Sequence, residues 1–288
     1  MRILVTGASG LVGSFFVGLA GARHNVLGVD RSQLDITDKK AIESVFNSFS
    51  PAVVLHCAAY TDVDGSETNP QRAMKVNAIA PGWIAEAAQK EQARMIYIST
   101  DYVFDGASRD PYREEDVPAP LSIYGSSKLE GEHRIAKACP EGHTIVRTGW
   151  LYGPGSGFVD WALRRLQRGE VLPAVSNQVG SPTCVVDLVD ALMGIVEGGH
   201  RGVFHFVNRG EVSWFSLAMA ITEILKLDEL SVSRISSESL ERPAQRPSYS
   251  ALSVEKYEQI SGLSVNSWYD ALKKYLVMQV KNERNLKE

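Results

Sequence analysis

Cysteine, clustered positive charge and long apolar runs are all scarce in this chain of 288 residues, and each shortage argues against a class of protein. The three cysteines (Cys57, Cys139 and Cys184) are odd in number and contain no C-x-x-C pair, which argues against a disulfide framework or thiolate metal cluster. The net charge is −4 and no run of Lys or Arg occurs, so nucleic acid is not an expected partner. Apolar runs have only strand length and no secretory leader is recognisable, so we expect a cytoplasmic protein without a membrane segment.

What the sequence does contain is a regular alternation of short β-branched runs and longer helical patterns. The predicted strands are Arg2–Thr6, Asn25–Asp30, Ala52–Ala58, Arg94–Ser99, Thr144–Thr148 and Gly202–Phe206. The predicted helices are residues 11–22, 38–49, 70–91, 122–139, 185–198, 213–226 and 266–277. Strands that are apolar throughout indicate a parallel sheet covered on both faces, so the predicted fold is a doubly wound α/β sheet of the Rossmann type.

The regular alternation stops after Thr148, where residues 150–183 are rich in glycine, proline and polar side chains. We interpret this stretch and residues 228–252 as loops and short elements over the carboxyl edge of the sheet, where such folds bind ligands. The predicted domains are therefore a dinucleotide-binding part, 1–149 with 184–206, and a smaller substrate-binding part, 150–183 with 207–288.

A glycine-rich turn joins the first strand to the first helix. Gly7, Gly10 and Gly13 have the spacing G-x-x-G-x-x-G, and Leu11 and Val12 begin the helix. Glycines let the backbone approach a pyrophosphate, while free N–H groups at the helix N-terminus attract its charge. The position directly after an N-terminal strand favours a dinucleotide site.

The end of the second strand bears on the choice of cofactor. Asp30 can bind the adenosine ribose hydroxyls and repel a 2′-phosphate, which favours NAD, whereas the adjacent Arg31 favours NADP. Asp35, in the next loop, can accept a hydrogen bond from the adenine amino group. The sequence thus predicts NAD(P)H and leaves the choice between the two forms open.

A second motif, Tyr124-Gly-Ser-Ser-Lys128, points to proton transfer. Residues four apart share one face of a helix, and a neighbouring ammonium is expected to lower the pKa of a phenol. The predicted strand before this helix ends near Thr100, whose hydroxyl can bind a carbonyl oxygen. These three residues are the candidate catalytic set.

These motifs resemble the extended short-chain dehydrogenase/reductase family. Within that family, the resemblance is to the dTDP-4-dehydrorhamnose reductases, and it covers nearly the whole chain. The stretches that carry it are Gly7/Gly10/Gly13, Cys57-Ala58-Ala59, Ala59–Asp64, Ser99–Phe104, Tyr124/Lys128, Thr148–Gly153, Asn177–Thr183 and Arg246-Pro247.

The resemblance implies that NAD(P)H reduces the C4 keto group of dTDP-4-dehydro-L-rhamnose to give dTDP-L-rhamnose. Tyr124 would protonate the forming alkoxide, Lys128 would bind the nicotinamide ribose and Thr100 would bind the reacting oxygen. Ala58 and Ala59 would border the cofactor. The residues expected at the sugar nucleotide are Val63, Thr100, Asp101, Trp150, Gln178 and Arg246. Arg246 also suits a diphosphate on chemical grounds, because a guanidinium binds two phosphate oxygens at once.

Two other interpretations stay open. Residues 111–121 resemble the regulatory β subunit of methionine adenosyltransferase, a dinucleotide-binding partner protein without catalysis. Another sugar-nucleotide epimerase or dehydratase is the second alternative. Some related reductases form dimers through Mg²⁺ held by glutamates, one of them on the first helix just past the third glycine. Phe15 and Phe16 lie there in this chain and cannot bind a metal, so no metal is predicted, and a homodimer stays open.

Overall fold

In a computed structural model, which describes residues 1–228 and 231–285, strands and helices alternate along the chain. The strands are β1 (Arg2–Thr6), β2 (Asn25–Val29), β3 (Val53–His56), β4 (Arg94–Thr100), β5 (His143–Thr148), β6 (Leu151–Tyr152), β7 (Leu172–Val175), β8 (Val179–Gly180), β9 (Thr183–Cys184), β10 (Gly202–His205), β11 (Val212–Ser213) and β12 (Val232–Ile235). The α-helices are α1 (Leu11–Ala20), α2 (Lys39–Phe49), α3 (Val63–Thr68), α4 (Pro70–Met74), α5 (Ala80–Lys90), α6 (Ile123–Ala138), α7 (Gly157–Gln167), α8 (Val185–Gly198), α9 (Trp214–Leu225), α10 (Glu255–Ser261) and α11 (Trp268–Asn285).

Six strands form one parallel sheet in the order β2-β1-β3-β4-β5-β10. All six predicted strands are present, and their ends differ from the predicted ones by no more than two residues. The strand order changes direction between β1 and β3, and such a switch point opens a crevice at the carboxyl ends of the strands. The predicted doubly wound α/β fold is confirmed.

Each face of the sheet buries its own apolar core, because successive side chains of a strand point to opposite faces. Ile3 of β1 packs in one core with Phe16 of α1 and Leu192 of α8. The next residue, Leu4, packs in the other core with Ile84 of α5. Both faces are therefore covered by helices, which explains why the strands are apolar throughout.

A third apolar core lies in the chain after β5. It joins α7, α9 and α11 through side chains such as Val159, Leu217 and Leu272, all of them almost fully buried. Helix α7 was not predicted, because residues 150–183 were interpreted as loops and short elements. Its apolar residues Val159, Ala162 and Leu166 recur at helical spacing, but glycines on both sides of the segment obscure that pattern.

The predicted helix 70–91 is three consecutive elements, with a π-helical turn at Lys75–Ile79 between α4 and α5. This turn contains Asn77, which is fully buried. Its amide accepts a hydrogen bond from the Tyr60 N–H (2.8 Å) and donates to the Ser127 hydroxyl (3.0 Å). The turn thus connects the loop after β3 to helix α6. Within residues 1–228 and 231–285, no helix is long and apolar enough to cross a membrane.

Candidate active site

The glycine turn lies between β1 and α1, as predicted, and its three glycines have different functions. Gly7 adopts φ +69°, and a Cβ there would approach the Ala58 backbone nitrogen to 2.7 Å. A Cβ on Gly13 would collide with the Gly7 carbonyl oxygen. Gly10 has a backbone conformation open to any residue and caps α1 without a side-chain hydrogen bond. Gly10, Leu11 and Val12 line the adjoining cavity, so the free N–H groups in the first turn of α1 can bind an anion there.

Asp30, Arg31 and Asp35 line the same cavity beyond β2. One oxygen of Asp30 accepts hydrogen bonds from the Ser32 N–H (2.8 Å) and hydroxyl (2.6 Å), and these bonds lower the pKa of Asp30. Thr37 binds Asp35 in the same manner and lowers its pKa. Both carboxylates are thus held in place by their own loops.

Lys75 and Arg72 line the cavity as well: Lys75 helps to lower the pKa of Asp35, and Arg72 lies over the Tyr60 ring, 4.7 Å from its centre. The sequence motifs did not indicate these two residues, which belong to the helical stretch after β3. Arg31 and Lys75 thus place two cations on the wall that Asp30 and Asp35 line. This wall can accept a phosphate, because the cations offset the negative charge of Asp30.

Thr100, Tyr124 and Lys128 come together on the opposite wall. Thr100 is the last residue of β4, while Tyr124 and Lys128 lie one turn apart on α6. The Ser122 side chain caps this helix by accepting a hydrogen bond from the Gly125 N–H (3.1 Å). A Cβ on Gly125 would collide with the Tyr102 carbonyl oxygen, so the glycine lets α6 approach the end of β4 closely.

The electrostatics of Tyr124 differ from the expectation drawn from its spacing to Lys128. Burial raises the pKa of Tyr124 to about 12, and a hydrogen bond with Thr100 opposes this rise only in part. The Lys128 ammonium donates to the Ile98 carbonyl oxygen at 2.6 Å and lies 3.9 Å from the centre of the Tyr97 ring. The expected lowering of the tyrosine pKa is therefore wrong for this structure, because desolvation is the larger effect.

Burial also lowers the pKa of Lys128 to about 7, while the charge of Glu132 opposes that change. Glu132 belongs to a buried network below the cavity floor, where it accepts hydrogen bonds from Ser99 (2.5 Å) and Arg147 (2.7 Å). The network connects the carboxyl ends of β4 and β5, through Ser99 and Arg147, to the middle of α6. Because an unpaired buried charge is costly, this set of contacts holds the catalytic wall rigid.

Trp150 and Val63, which the resemblance places at the sugar, line the same cavity as Thr100. Trp150 has φ +47°, an uncommon conformation for a residue other than glycine. Its ring stacks on Trp214 with centroids 3.4 Å apart and an interplanar angle of 4°. Trp214 also lines the cavity and had not been singled out, because it lies 64 residues later, directly after an ordinary serine helix cap.

Two of the candidate substrate residues do not line the cavity. Gln178 is almost fully buried in the strand segment before Val179. Arg246 forms a two-pronged ion pair with Asp64, with both N–O distances at 2.6 Å, and donates to the Ala244 carbonyl oxygen (2.8 Å). Its guanidinium is thus bound within the protein, and its role at a diphosphate stays a prediction.

All these walls enclose one cavity of about 1010 Å³ at the carboxyl edge of the sheet. The predicted site residues that line it are Gly7, Gly10, Leu11, Val12, Asp30, Arg31, Asp35, Ala58, Ala59, Val63, Thr100, Asp101, Tyr124, Lys128 and Trp150. The cavity extends from the glycine turn to the Tyr124 hydroxyl, and both motifs therefore act on the same ligand space.

The parallel sheet and the cavity at its carboxyl edge define a Rossmann-type reductase fold. Such folds bind a nucleotide at the point where the strand order changes direction. A family model described as the RmlD substrate binding domain matches residues 1–280. The chain belongs to this family.

Named relatives agree with this assignment. A dTDP-4-dehydrorhamnose reductase of Mycolicibacterium smegmatis is 43% identical over 277 residues, which cover 94% of this chain and 84% of the relative. A crystal structure of a dTDP-4-dehydrorhamnose reductase from Clostridium acetobutylicum is similar with a TM-score of 0.92 at 38% identity, covering 97% of this chain and 99% of that one. The Bacillus anthracis enzyme, in complex with NADP, has a TM-score of 0.92 at 34% identity and covers 96% and 99% of the two chains.

Proposed function

We propose that the protein is an NAD(P)H-dependent reductase of the C4 keto group of a nucleotide-activated 4-keto-6-deoxy sugar. The proposed substrate is dTDP-4-dehydro-L-rhamnose and the product dTDP-L-rhamnose. The observation that carries the proposal is that Thr100, Tyr124 and Lys128 line the same cavity as the glycine turn. Relatives named for this reaction, 43% identical or less, support the choice of sugar.

The dinucleotide would lie along the cavity from α1 to α6. Gly7, Gly10, Leu11 and Val12 would hold the pyrophosphate with backbone N–H groups. The adenosine would contact Asp30, Arg31 and Asp35, and Ala58 and Ala59 would border the middle of the cofactor. The residues of the glycine turn fit this group, because Gly7, Gly10, Leu11 and Val12 all line the cavity at the start of α1.

When bound, the reduced nicotinamide supplies the hydride, and the chain supplies the proton and the orientation. Tyr124 keeps its proton at neutral pH because burial raises its pKa to about 12, so it can protonate an alkoxide that forms beside it. Thr100 would bind the keto oxygen. Lys128 would exchange its hydrogen bond with the Ile98 carbonyl oxygen for one with the nicotinamide ribose. This contact would hold the ribose near Tyr124.

The choice between NADH and NADPH depends on the cations around Asp30. Arg31 and Lys75 lie near Asp35 on the same wall, whereas Ser32 already occupies one oxygen of Asp30. This arrangement supports the use of NADPH, and the relative from Bacillus anthracis was solved with NADP. NADH is the alternative cofactor, because the Asp30 carboxylate can also bind the ribose hydroxyls.

The sugar nucleotide would enter between the two parts of the chain. We propose that residues 1–149 with 184–206 bind the dinucleotide and that 150–183 with 207–288 bind the substrate; residues 229–230 and 286–288 of the second part lie outside the described residues. The separate core of α7, α9 and α11 supports this division. Val63, Asp101 and Trp150 would border the sugar, with Gln178 and Arg246 further out.

Partners and location follow from the same proposal. A reductase of sugar nucleotides works where these are made, and the three free thiols fit the reducing cytoplasm. The proposal includes a homodimer only because this chain resembles reductases that form dimers. The regulatory-subunit and dehydratase alternatives are less well supported, because the relatives named for ketoreduction match almost the whole chain.

The test is an assay with freshly prepared dTDP-4-dehydro-L-rhamnose, in which NADPH and NADH absorbance and the sugar product are followed together. We expect oxidation of the cofactor with formation of dTDP-L-rhamnose in equal amount. An epimer of this substrate at C5 serves as the stereochemical control. If neither cofactor is consumed, while the protein binds a methionine adenosyltransferase catalytic subunit, the regulatory function would replace this proposal.

A further inference from the structure

A late segment of the chain, residues 244–250, contacts the catalytic wall through Asp101, the neighbour of Thr100. The backbone of Ser250 donates to the Val179 carbonyl oxygen (2.8 Å), and that of Val179 donates to the Ser248 carbonyl oxygen (2.9 Å). These two bonds hold the segment beside β8. Ser250 is thereby buried, with 2% of its surface exposed, and its hydroxyl donates to Asp101 Oδ2 at 2.6 Å.

Asp101 is held on three sides. Its other oxygen, Oδ1, lies 3.1 Å from Thr100 Oγ1, and the side chain as a whole is 3% exposed. The third contact is the backbone of Gly149, where a Cβ would approach Asp101 Cγ to 2.6 Å. The carboxyl group therefore has no room to turn away, and each oxygen faces one hydroxyl group.

The number of available protons limits what Thr100 can do. A threonine hydroxyl has a single proton to donate, and a keto oxygen only accepts. If Thr100 donates to the substrate, as the proposed function requires, it has no proton left for Asp101. An ionised Asp101 would then face a lone pair of Thr100 across 3.1 Å in a buried space, an arrangement that is strongly unfavourable.

A protonated carboxyl group removes this conflict. We propose that Asp101 acts as a neutral carboxylic acid that donates its proton to Thr100, so that Thr100 donates to the keto oxygen, and that Ser250 is the positioning residue for Asp101. The inference rests on the proposed function. In the substrate complex the chain of donors is then Asp101 to Thr100 to the keto oxygen, and Ser250 donates to the other oxygen of Asp101.

The surroundings of Asp101 are consistent with a neutral form. Burial raises its pKa to about 6, while hydrogen bonds from Ser250 and Thr100 oppose the rise. The titratable groups that face it are the phenols of Tyr102 and Tyr124, whose own pKa values its charge raises. In the free protein, the pKa of Asp101 is thus close enough to neutral pH for part of the molecules to carry the protonated form. A keto substrate would bind to that form and increase its share.

The expected pH dependence has a definite sign. Because the protonated form is the productive one, kcat/KM for the keto sugar should fall as the pH rises through the pKa of Asp101. The Ser250 hydroxyl stabilises the carboxylate, so Ser250→Ala should raise that pKa and move the fall upward by about one pH unit. The ratio of variant to wild-type kcat/KM should therefore increase with pH.

Two further variants make the experiment specific. In Asp101→Asn, the amide N–H can donate to Thr100 while the amide oxygen accepts from Ser250, which reproduces the hydrogen bonds of the neutral acid. We therefore expect this variant to turn over the keto sugar without the fall of kcat/KM that the ionisation of Asp101 causes. Ser248→Ala is the matched control, because Ser248 lies on the same segment but donates to the Gly106 carbonyl oxygen (3.2 Å). Its pH profile should be that of the wild type.

Lys128 also titrates in this range and needs a separate measurement. Its effect should appear in the affinity for NADPH without sugar, which should fall above pH 7 in the wild type and in all three variants alike. The inference is overturned if Asp101→Asn keeps the wild-type profile, or if Ser250→Ala loses activity by the same factor at every pH. Absence of turnover in the wild type at any pH would instead contradict the proposed function.

Discussion

At the scale of single residues, the reactivity of Tyr124 depends on burial more than on its neighbour on the helix. The Y-x-x-x-K spacing correctly places Tyr124 and Lys128 on one wall, but the lysine binds the Ile98 carbonyl oxygen and the tyrosine pKa rises to about 12. For a reductase this is the useful direction, since the reaction must begin with a protonated phenol.

The first prediction concerns this phenol. Tyr124→Phe removes the proton donor but keeps the ring that fills the buried space, so we expect kcat to fall about 10²–10⁴-fold. The affinity for NADPH, measured by fluorescence titration, should change little, and so should the melting temperature. Tyr102→Phe is a suitable control, because Tyr102 packs edge-on against Tyr124 and is not assigned a proton-transfer role. Wild-type turnover in Tyr124→Phe would contradict the assignment.

Residues near one another in sequence could be predicted, while those joined over long distances could not. Thr100, Tyr124 and Lys128 belong to short motifs whose spacing carries information. The bond between Ser250 and Asp101 and the ion pair between Arg246 and Asp64 span 149 and 182 positions. No periodicity encodes such contacts, because they depend on how the late segment folds over the completed sheet.

At the scale of elements, the strands of the sheet could be predicted from the sequence, whereas details of the helices near the cavity could not. The six strands were predictable because buried parallel strands are apolar throughout. The π-helical turn at Lys75–Ile79 was not, because Asn77 and its neighbours still follow an ordinary helical pattern. The extra residue in that turn serves the contacts of Asn77 with Tyr60 and Ser127, which are tertiary.

The second prediction tests the glycine turn as an element. Gly10→Val keeps an allowed backbone but places a side chain over the N–H groups of α1, so we expect dinucleotide binding to weaken at least about tenfold, or ~1.4 kcal/mol. The melting temperature without cofactor should be nearly unchanged. Gly13→Ala is the comparison, because its Cβ would collide with the Gly7 carbonyl oxygen and should lower both binding and stability. Isothermal titration with NADPH and thermal unfolding measure the two effects. Unchanged affinity in Gly10→Val would show that the pyrophosphate does not bind at this turn.

At the scale of the whole molecule, the cavity lies between the sheet with its two cores and the separate core of α7, α9 and α11. The polypeptide passes from one part to the other several times, so both parts contribute to the walls around Thr100. One of the contacts that join them is the ion pair between Asp64 at the start of α3 and Arg246 of the late segment. The Ala244 N–H also donates to Asp64, at 3.1 Å, which fixes the segment next to Val63.

The last prediction asks what Arg246 does for the substrate. Arg246→Ala should raise KM for the sugar nucleotide about five- to tenfold and lower kcat less. The reason is that a contact which binds the ground state and the transition state equally affects KM and not kcat when it is lost. Because the guanidinium is engaged with Asp64, we expect Asp64→Asn to raise KM similarly and the double variant to add little. Lys256→Ala is the control, as its ion pair with Glu115 is exposed and 3.6 Å long. A lower KM in Asp64→Asn would instead indicate that a released Arg246 binds the diphosphate directly, as the sequence predicts. Steady-state kinetics of the four variants therefore distinguish a residue that positions the late segment from one that contacts the substrate.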